Sequence, residues 1–177
     1  MSDAGAAHGG DTADLASGYA MLARCWRQPT ADLVDAVADS GLFRSVGVSI
    51  EDVSVTALRA EHARLFVGPG EPRCPPYESV YRNESADVLG PAAHDVVQWY
   101  QEYDLGLDPD WPDLPDHVAT ELEFAAYLLA RGETTACESF LDEHPEQWLD
   151  EFLADVKGET EEPFYEALAE VTAASLE

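Results

Sequence analysis

Apolar residues recur at intervals of three and four positions along most of the chain, which is the spacing of one face of an α-helix. In residues 11–27, for example, Tyr19, Leu22, Ala23 and Trp26 fall on one such face. The same spacing predicts further helices at about residues 31–40, 50–67, 85–103, 114–131, 134–156 and 161–174. No segment alternates apolar and polar residues with a period of two. The pattern therefore predicts an all-α protein, a single-domain helical bundle of six to seven helices.

Two short segments interrupt the helical pattern and set the expected organisation of the chain. Residues 1–10 are small and polar, which predicts a flexible acidic tail ahead of an all-helical domain over residues 11–177. Within that domain, residues 68–82 form a Pro-rich loop that we expect to act as a hinge. Residues 104–115 form a second connector, rich in Pro and Asp.

The charge balance narrows the range of partners. The chain has 36 acidic and 9 basic residues, a formal net charge of -27, and Lys157 as its single lysine. Binding to nucleic acid is excluded because it relies on Lys and Arg, and an anionic membrane is disfavoured for the same reason. A lysine-poor, acidic chain with a normal apolar content is typical of a halophile's protein.

Cysteine usage and the lack of targeting features favour the cytoplasm. The three cysteines have no CxxC spacing, which fits a reducing compartment better than a disulfide framework or a zinc ribbon. The N-terminus lacks the apolar stretch of a signal peptide, and no window approaches the roughly 18 apolar residues of a membrane helix. We expect a cytoplasmic protein with no stable membrane insertion.

The Pro-rich loop carries the first group of candidate binding residues. Pro75 and Pro76 fix φ at two successive positions and so stiffen the backbone that follows. They are followed by Tyr77, Glu78, Ser79, Val80 and Tyr81. Tyrosine suits recognition because it offers a rigid apolar ring with one polar tip. The alternative, which the pattern alone leaves open, is that both tyrosines cover the core.

A second group of candidates opens the helix predicted at 114–131. Asp113 is a possible cap, with Pro115 in the first turn and Asp116 near the positive end of the helix dipole. At such an N-terminus His117 should be neutral. With Glu121 one turn on and Glu78 from the loop, these residues would form an acidic patch suited to an arginine-bearing peptide.

Evidence for an enzyme is weak. His117 and Glu121 have the spacing of an intrahelical metal pair, so a small metal-dependent hydrolase is the alternative function, although an ordinary helix pair explains them better. No GxSxG elbow and no phosphate-binding glycine loop is present. We therefore predict a non-enzyme without a cofactor.

Three motifs in order resemble the TorD/DmsD family of cytoplasmic chaperones and their NarJ-type relatives. They are "LFVGPG…PPYESVYR", "LPDHVATELEFAAYLL" and "FLDEHPEQWLDEFLADV", and the resemblance covers residues 59–156. Pro145 departs from the family pattern, and we expect the helix to restart there. The third motif, with Phe140, His144, Trp148 and Phe152 on one line, is interpreted as packing.

The resemblance implies an all-helical chaperone for molybdoenzyme maturation. Such a protein binds the twin-arginine signal peptide of a molybdenum-cofactor oxidoreductase subunit and holds that subunit until cofactor insertion and export. A role in anaerobic respiration follows from such clients. A dimethyl-sulfoxide-reductase-like and a nitrate-reductase-like client are both compatible with the sequence, as are a monomer and a domain-swapped dimer.

The family motifs also assign site residues by position. The resemblance gives the peptide-binding residues Tyr77, Ser79, Val80, Tyr81, Asp116 and His117. Glu121 is added from its place one turn after His117, and Glu78 as a further carboxylate. We also expect Trp99 to supply apolar contact, which would matter more when salt screens exposed charges.

Overall fold

The computed structural model describes the backbone of residues 5–50, 52–83, 90–106, 108–110 and 113–177, with side chains from residue 10 onward. This part of the chain contains nine α-helices and no β-strand, which confirms the all-α prediction. The helices are α1 Gly5–Cys25, α2 Ala31–Ser40, α3 Val55–His62, α4 Glu78–Arg82, α5 Pro91–Glu102, α6 Val118–Ala130, α7 Thr134–Glu143, α8 Leu149–Glu159 and α9 Pro163–Ala174.

Local capping explains several helix ends. The Thr30 hydroxyl accepts a hydrogen bond from the Leu33 N–H and starts α2. Gly41 ends α2 in the left-handed conformation with φ 68°, which favours glycine at this position. The Ser54 hydroxyl starts α3 in the same way as Thr30, by accepting from the Ala57 N–H. Such side-chain oxygens satisfy N–H groups that have no partner inside the helix.

The helix boundaries differ from the sequence expectation at several places. The predicted helix at 50–67 begins only at α3 and continues as a π-helical segment, Ala63–Val67. The predicted helix at 134–156 is broken after α7 by a 3₁₀ turn, Pro145–Gln147, as the position of the proline suggested. Helix α4 was not expected, and α1 begins at Gly5, inside the predicted tail. Residues 84–89, at the start of the helix predicted from 85, lie outside the described residues.

The chain divides into two compact units, and the boundary falls inside the predicted hinge loop. The first unit comprises residues 1–23 and 77–147, and the second comprises residues 24–76 and 148–177. The hinge role of the loop and the predicted extent of the domain stay predictions. In the first unit, the rings of Tyr100 and Phe140 each lie 4.8 Å from the ring of Phe124, centroid to centroid. These edge-to-face contacts join α5, α6 and α7.

The second unit has its own aromatic core. The Trp26 ring lies 5.1 Å from the Phe152 ring and 5.9 Å from the Phe66 ring. The indole N–H of Trp26 donates to the Thr172 hydroxyl at 3.2 Å, so the buried polar tip is satisfied. In the described residues, no helix is both long and apolar enough to cross a membrane.

A single carboxylate, Glu61, gathers three segments of the second unit. It receives two hydrogen bonds of 2.7 Å from Arg64, one of 3.0 Å from the Thr160 hydroxyl and one of 2.7 Å from the Glu161 N–H. The bond from Arg64 is the main cause that holds the pKa of Glu61 below its usual value, against the opposing effect of burial.

We expect Glu61→Gln to lower the free energy of unfolding by about 1–3 kcal/mol at pH 7. The lowered pKa means that the contribution of Glu61 is complete above its unfolded pKa of about 4.3 and is lost as the pH falls through its lower folded value. Urea unfolding at pH 7 and pH 3 checks this, with the exposed Glu170→Gln as the matched control. Equal acid sensitivity of Glu61→Gln and wild type would contradict it.

The three cysteines should be inert in the folded protein. Burial raises the pKa of Cys25 and of Cys74 to about 12 and that of Cys137 to about 11. Because the thiolate is the reacting form, we expect labelling by a thiol reagent at pH 8 to be at least about 100-fold slower than in urea. A cysteine that reacts at the unfolded rate in native buffer would contradict this.

Candidate functional site

Helix α4 begins within the Pro-rich loop and is stabilised at its N-terminus by a distant aspartate. The Asp116 backbone carbonyl accepts from the Glu78 N–H at 3.0 Å, and the Asp116 carboxylate accepts from the Ser79 N–H at 2.9 Å. The Ser79 hydroxyl also donates to that carboxylate. Tyr77, at the N-cap position of α4, provides no side-chain hydrogen bond. Asp116 therefore performs the capping role for a helix 37 residues away.

The next residue, His117, starts α6. Its Nδ1 accepts the Ala119 N–H at 3.0 Å, so His117 is the N-cap and carries its proton on Nε2 if neutral. Tyr77 and His117 form an antiparallel β-bridge, and their rings lie 5.3 Å apart. The two motifs, 75–82 and 114–124, are therefore joined along their backbones. The prediction that Asp113 caps this helix and that Pro115 lies in its first turn is wrong, because α6 begins at Val118.

Glu78 connects these motifs to the third one. Its carboxylate contacts His144 Nδ1 at 3.0 and 3.1 Å and forms an ion pair with Arg82, one turn along α4. Burial by itself raises the pKa of Glu78, but hydrogen bonds from His144 and Glu121 outweigh burial, and the pKa lies below its usual value.

Six side chains thus form what we call the polar cluster, and all are buried. Glu78, Ser79, Asp116 and Glu121 are 0% exposed, and His144 and His117 are 3% and 6% exposed. The sequence grouped Glu78, Asp116, His117 and Glu121 correctly but expected them on an accessible patch. Instead they lie inside the first unit, where Asp116 bonds to the N-terminus of α4, His117 caps α6, and Glu78 pairs with His144 and Arg82.

The four remaining candidates are only partly buried. Tyr77, Val80 and Tyr81 follow the prolines, and Trp99 lies on α5. The Trp99 indole N–H donates to the Glu143 carboxylate at 3.1 Å, and its ring lies 5.6 Å from the Phe140 ring. The nine predicted residues therefore separate into five buried ones and four with accessible surface.

His144 is a member of the polar cluster that sequence reasoning left out of the site. The sequence interpretation assigned it to a packing motif, and its hydrogen bond to Glu78 makes it a partnered histidine of the buried core. One signal in the sequence could have assigned His144 to the site. It lies on an apolar helix face within the third motif, and a buried histidine needs a polar partner. Trp148 and Phe152 of the same motif belong to the core of the second unit.

The geometry gives no support to a metal centre. Among the described residues, no group of three or more His, Cys, Asp or Glu is arranged to hold a metal ion. His117 uses Nδ1 to cap α6, and Glu121 bonds to Glu78. Both side chains of the hydrolase alternative are engaged in holding the fold together.

The fold and site define an all-α protein in which two loop-to-helix motifs are joined over a buried polar cluster. A family model described as nitrate reductase delta subunit matches residues 21–154. The chain therefore belongs to the nitrate reductase delta subunit family, the NarJ- and TorD/DmsD-type chaperones, and not to a family of enzymes.

Three relatives illustrate the family. The Tat proofreading chaperone DmsD of Salmonella paratyphi A is 28% identical over 138 residues, covering 78% of this chain and 68% of that protein. The chaperone protein TorD of Shewanella loihica is 26% identical over 127 residues, covering 69% and 60%. The selenate reductase assembly chaperone protein of Thauera selenatis is 29% identical over 155 residues, covering 78% and 74%.

A solved structure supports the fold. It is the crystal structure of a candidate redox enzyme maturation protein from Archaeoglobus fulgidus. The two chains are 25% identical, with a TM-score of 0.62 and coverage of 86% of this chain and 87% of that one.

We expect Ser79→Ala and Asp116→Asn each to lower the free energy of unfolding, by about 1–3 kcal/mol, because each leaves a buried partner unsatisfied. The double variant should cost less than the sum of the single ones by about 0.5 kcal/mol or more, since both remove the same contact. Urea unfolding of the wild type, the two single variants and the double variant measures this coupling. Ser139→Ala, an exposed serine in the same unit, is the control. Strict additivity would contradict the link.

Proposed function

We propose that this protein is a cytoplasmic maturation chaperone that binds the twin-arginine leader of a molybdenum-cofactor oxidoreductase subunit. It would hold the subunit until the cofactor is inserted and so delay export. The names of the relatives support this, since DmsD is a Tat proofreading chaperone and others assemble selenate and chlorate reductases. A client in anaerobic respiration fits these names.

The observation that carries the proposal is that the buried residues of the predicted site lie beneath partly exposed ones and hold their backbone in place. The buried polar cluster fixes the backbone from which Tyr77, Val80 and Tyr81 project, with part of each side chain accessible. A rigid presentation of apolar side chains lowers the conformational entropy lost when a peptide binds. The cluster acts as a support, and the partly exposed side chains are the expected contacts.

Binding of this kind is an equilibrium in which no covalent bond is made or broken. The apolar segment of a leader would lie against the aromatic side chains, as an extended peptide or a helix in a groove. Association would last as long as the leader is accessible and would end when export machinery competes for it. Neither nucleotide nor metal is needed for this cycle.

The identity of the client stays open between several oxidoreductases. Dimethyl-sulfoxide-reductase-like and nitrate-reductase-like subunits are both compatible with the sequence, and the names of the relatives add selenate and chlorate reductases. Monomeric and domain-swapped forms would present the same α4 and α6 residues, so the proposal holds for either.

The test is calorimetric titration with synthetic twin-arginine leaders in about 2–3 M KCl, where the Debye length is a few Å and the acidic surface is screened. We expect saturable binding of one leader, weakened about tenfold or more by Tyr77→Ala or Trp99→Ala, since partly buried aromatic anchors contribute more than 1.4 kcal/mol. Asp116→Ala should weaken binding less than Tyr77→Ala in this salt.

Tyr127→Ala is the matched control, because Tyr127 is a partly buried tyrosine of the same unit that is not among the nine predicted peptide-binding residues. It should bind the leader like wild type. Equal losses for Tyr77→Ala and Asp116→Ala would contradict the prediction that the apolar contacts contribute more than the carboxylates in high salt. Failure to bind any leader would refute leader recognition.

A further inference from the structure

A cavity beside Trp99 has the chemistry to receive an arginine side chain. It has a volume of about 520 Å³ and lies within the first unit, at the ends of α4 and α7 and along α5. We call it the α5–α7 cavity. Its lining residues are Arg82, Asp95, Gln98, Trp99, Glu102, Glu143 and His144.

The sequence analysis expected buried carboxylates of the polar cluster to bind an arginine, but these carboxylates are not accessible to a ligand. Asp116 is committed to Ser79, and Glu78 to His144 and Arg82, with both carboxylates fully buried. The α5–α7 cavity offers accessible ones instead. Asp95, Glu102 and Glu143 are exposed side chains, and no cation of the described residues forms an ion pair with Asp95 or Glu102.

A buried histidine supplies an independent indication of the ligand. A carboxylate only accepts hydrogen bonds, so His144 Nδ1 must carry the proton that faces Glu78. In the neutral ring, Nε2 is then an acceptor. It has no hydrogen-bond partner in the part of the chain that the structure describes, although the side chain is only 4% exposed and lines the cavity. With a neutral His144 ring, the cavity therefore offers an imidazole acceptor beside three exposed carboxylates.

A guanidinium already occupies one wall of the cavity. The Arg82 NH1 group donates to the Glu143 carbonyl at 3.0 Å and to Glu78. The Glu143 carboxylate accepts the Trp99 indole N–H, so Glu143 bonds to both the guanidinium and the indole at the cavity wall. The face of a tryptophan ring is a favourable environment for a guanidinium.

We infer that the α5–α7 cavity binds an arginine side chain of the client peptide, through Asp95, Glu102 and Glu143, with the Trp99 ring beside it. This inference rests on the proposed function and names the part of the site that reads the leader's arginines. Arginine fits better than lysine because its five N–H donors match several carboxylates and an imidazole acceptor at once.

The test is a comparison of leaders by calorimetry in about 0.15 M salt, where the Debye length of about 8 Å leaves charge pairs effective. The twin-arginine leader is compared with versions carrying two lysines or two glutamines. The protein variants are Asp95→Asn/Glu102→Gln and the control Glu166→Gln/Glu170→Gln, which removes the same charge from exposed positions on α9.

We expect the first double variant to weaken the twin-arginine leader by about three- to tenfold, the range that two partly exposed charge pairs can supply. It should bind the glutamine leader as wild type does, and the control should behave as wild type with every leader. Equal weakening by both double variants would overturn the inference, because net charge would then explain it. Equal affinity of wild type for the arginine and lysine leaders would also overturn it.

A second measurement separates this inference from the proposed function. If wild type binds no leader, leader recognition fails, but the cavity can still be probed with a blocked Arg-Arg dipeptide amide. A shift of the Trp99 indole N–H resonance that the Asp95→Asn/Glu102→Gln variant loses would uphold the cavity assignment. No shift, or the same shift with a Lys-Lys dipeptide amide, would overturn it.

Discussion

The geometry of the site depends on one carboxylate, that of Asp116. Helix α4 has five residues and no cap of its own, so it cannot be stable by itself. Asp116 satisfies the first two N–H groups of α4 with its carbonyl and carboxylate, and it places a negative charge at the positive end of that helix. Because His117 starts α6 immediately afterwards, a single dipeptide fixes the beginnings of two helices. The position of every partly exposed side chain after the prolines follows from this contact.

Burial of three carboxyl groups beside one another carries a cost that an apolar core would avoid. The first unit lowers this cost by giving Glu78 two partners, Arg82 and His144. The benefit is specificity of arrangement, because a hydrogen-bonded network has fewer equivalent packings than an aliphatic one. A binding surface made from a short helix and a loop needs a fixed backbone, because a loop that is ordered only on binding loses conformational entropy and so lowers the affinity.

The sequence predicted the all-α architecture and the grouping of the site residues, but it did not predict that these residues are buried. Helical periodicity identified the all-α fold. Two motifs in the sequence alone grouped Glu78, Asp116, His117 and Glu121 in one site. Periodicity could not show that Asp116 caps a helix 37 residues away, because that contact is not local. It also placed the start of α6 too early, since His117, and not Asp113, supplies the acceptor for its first turn. Burial is a property of the whole fold, so acidic residues that face inward look like surface residues in a sequence.

The net charge of -27 explains why accessible carboxylates alone cannot define where a cationic peptide binds. Exposed acidic side chains occur on many of the described helices, and exposed pairs contribute little and weaken as salt rises. A binding site for a cationic side chain differs from the rest of this surface only where carboxylates line a cavity together with an aromatic ring and a buried hydrogen-bond acceptor. In the α5–α7 cavity, Glu143 holds Trp99 and Arg82 together, and His144 joins the same cavity to Glu78. The partly exposed Trp99 is therefore linked through Glu143, Arg82 and Glu78 to the polar cluster that Asp116 stabilises. A peptide that contacted Trp99 and Tyr77 would meet surfaces supported by the same buried charges.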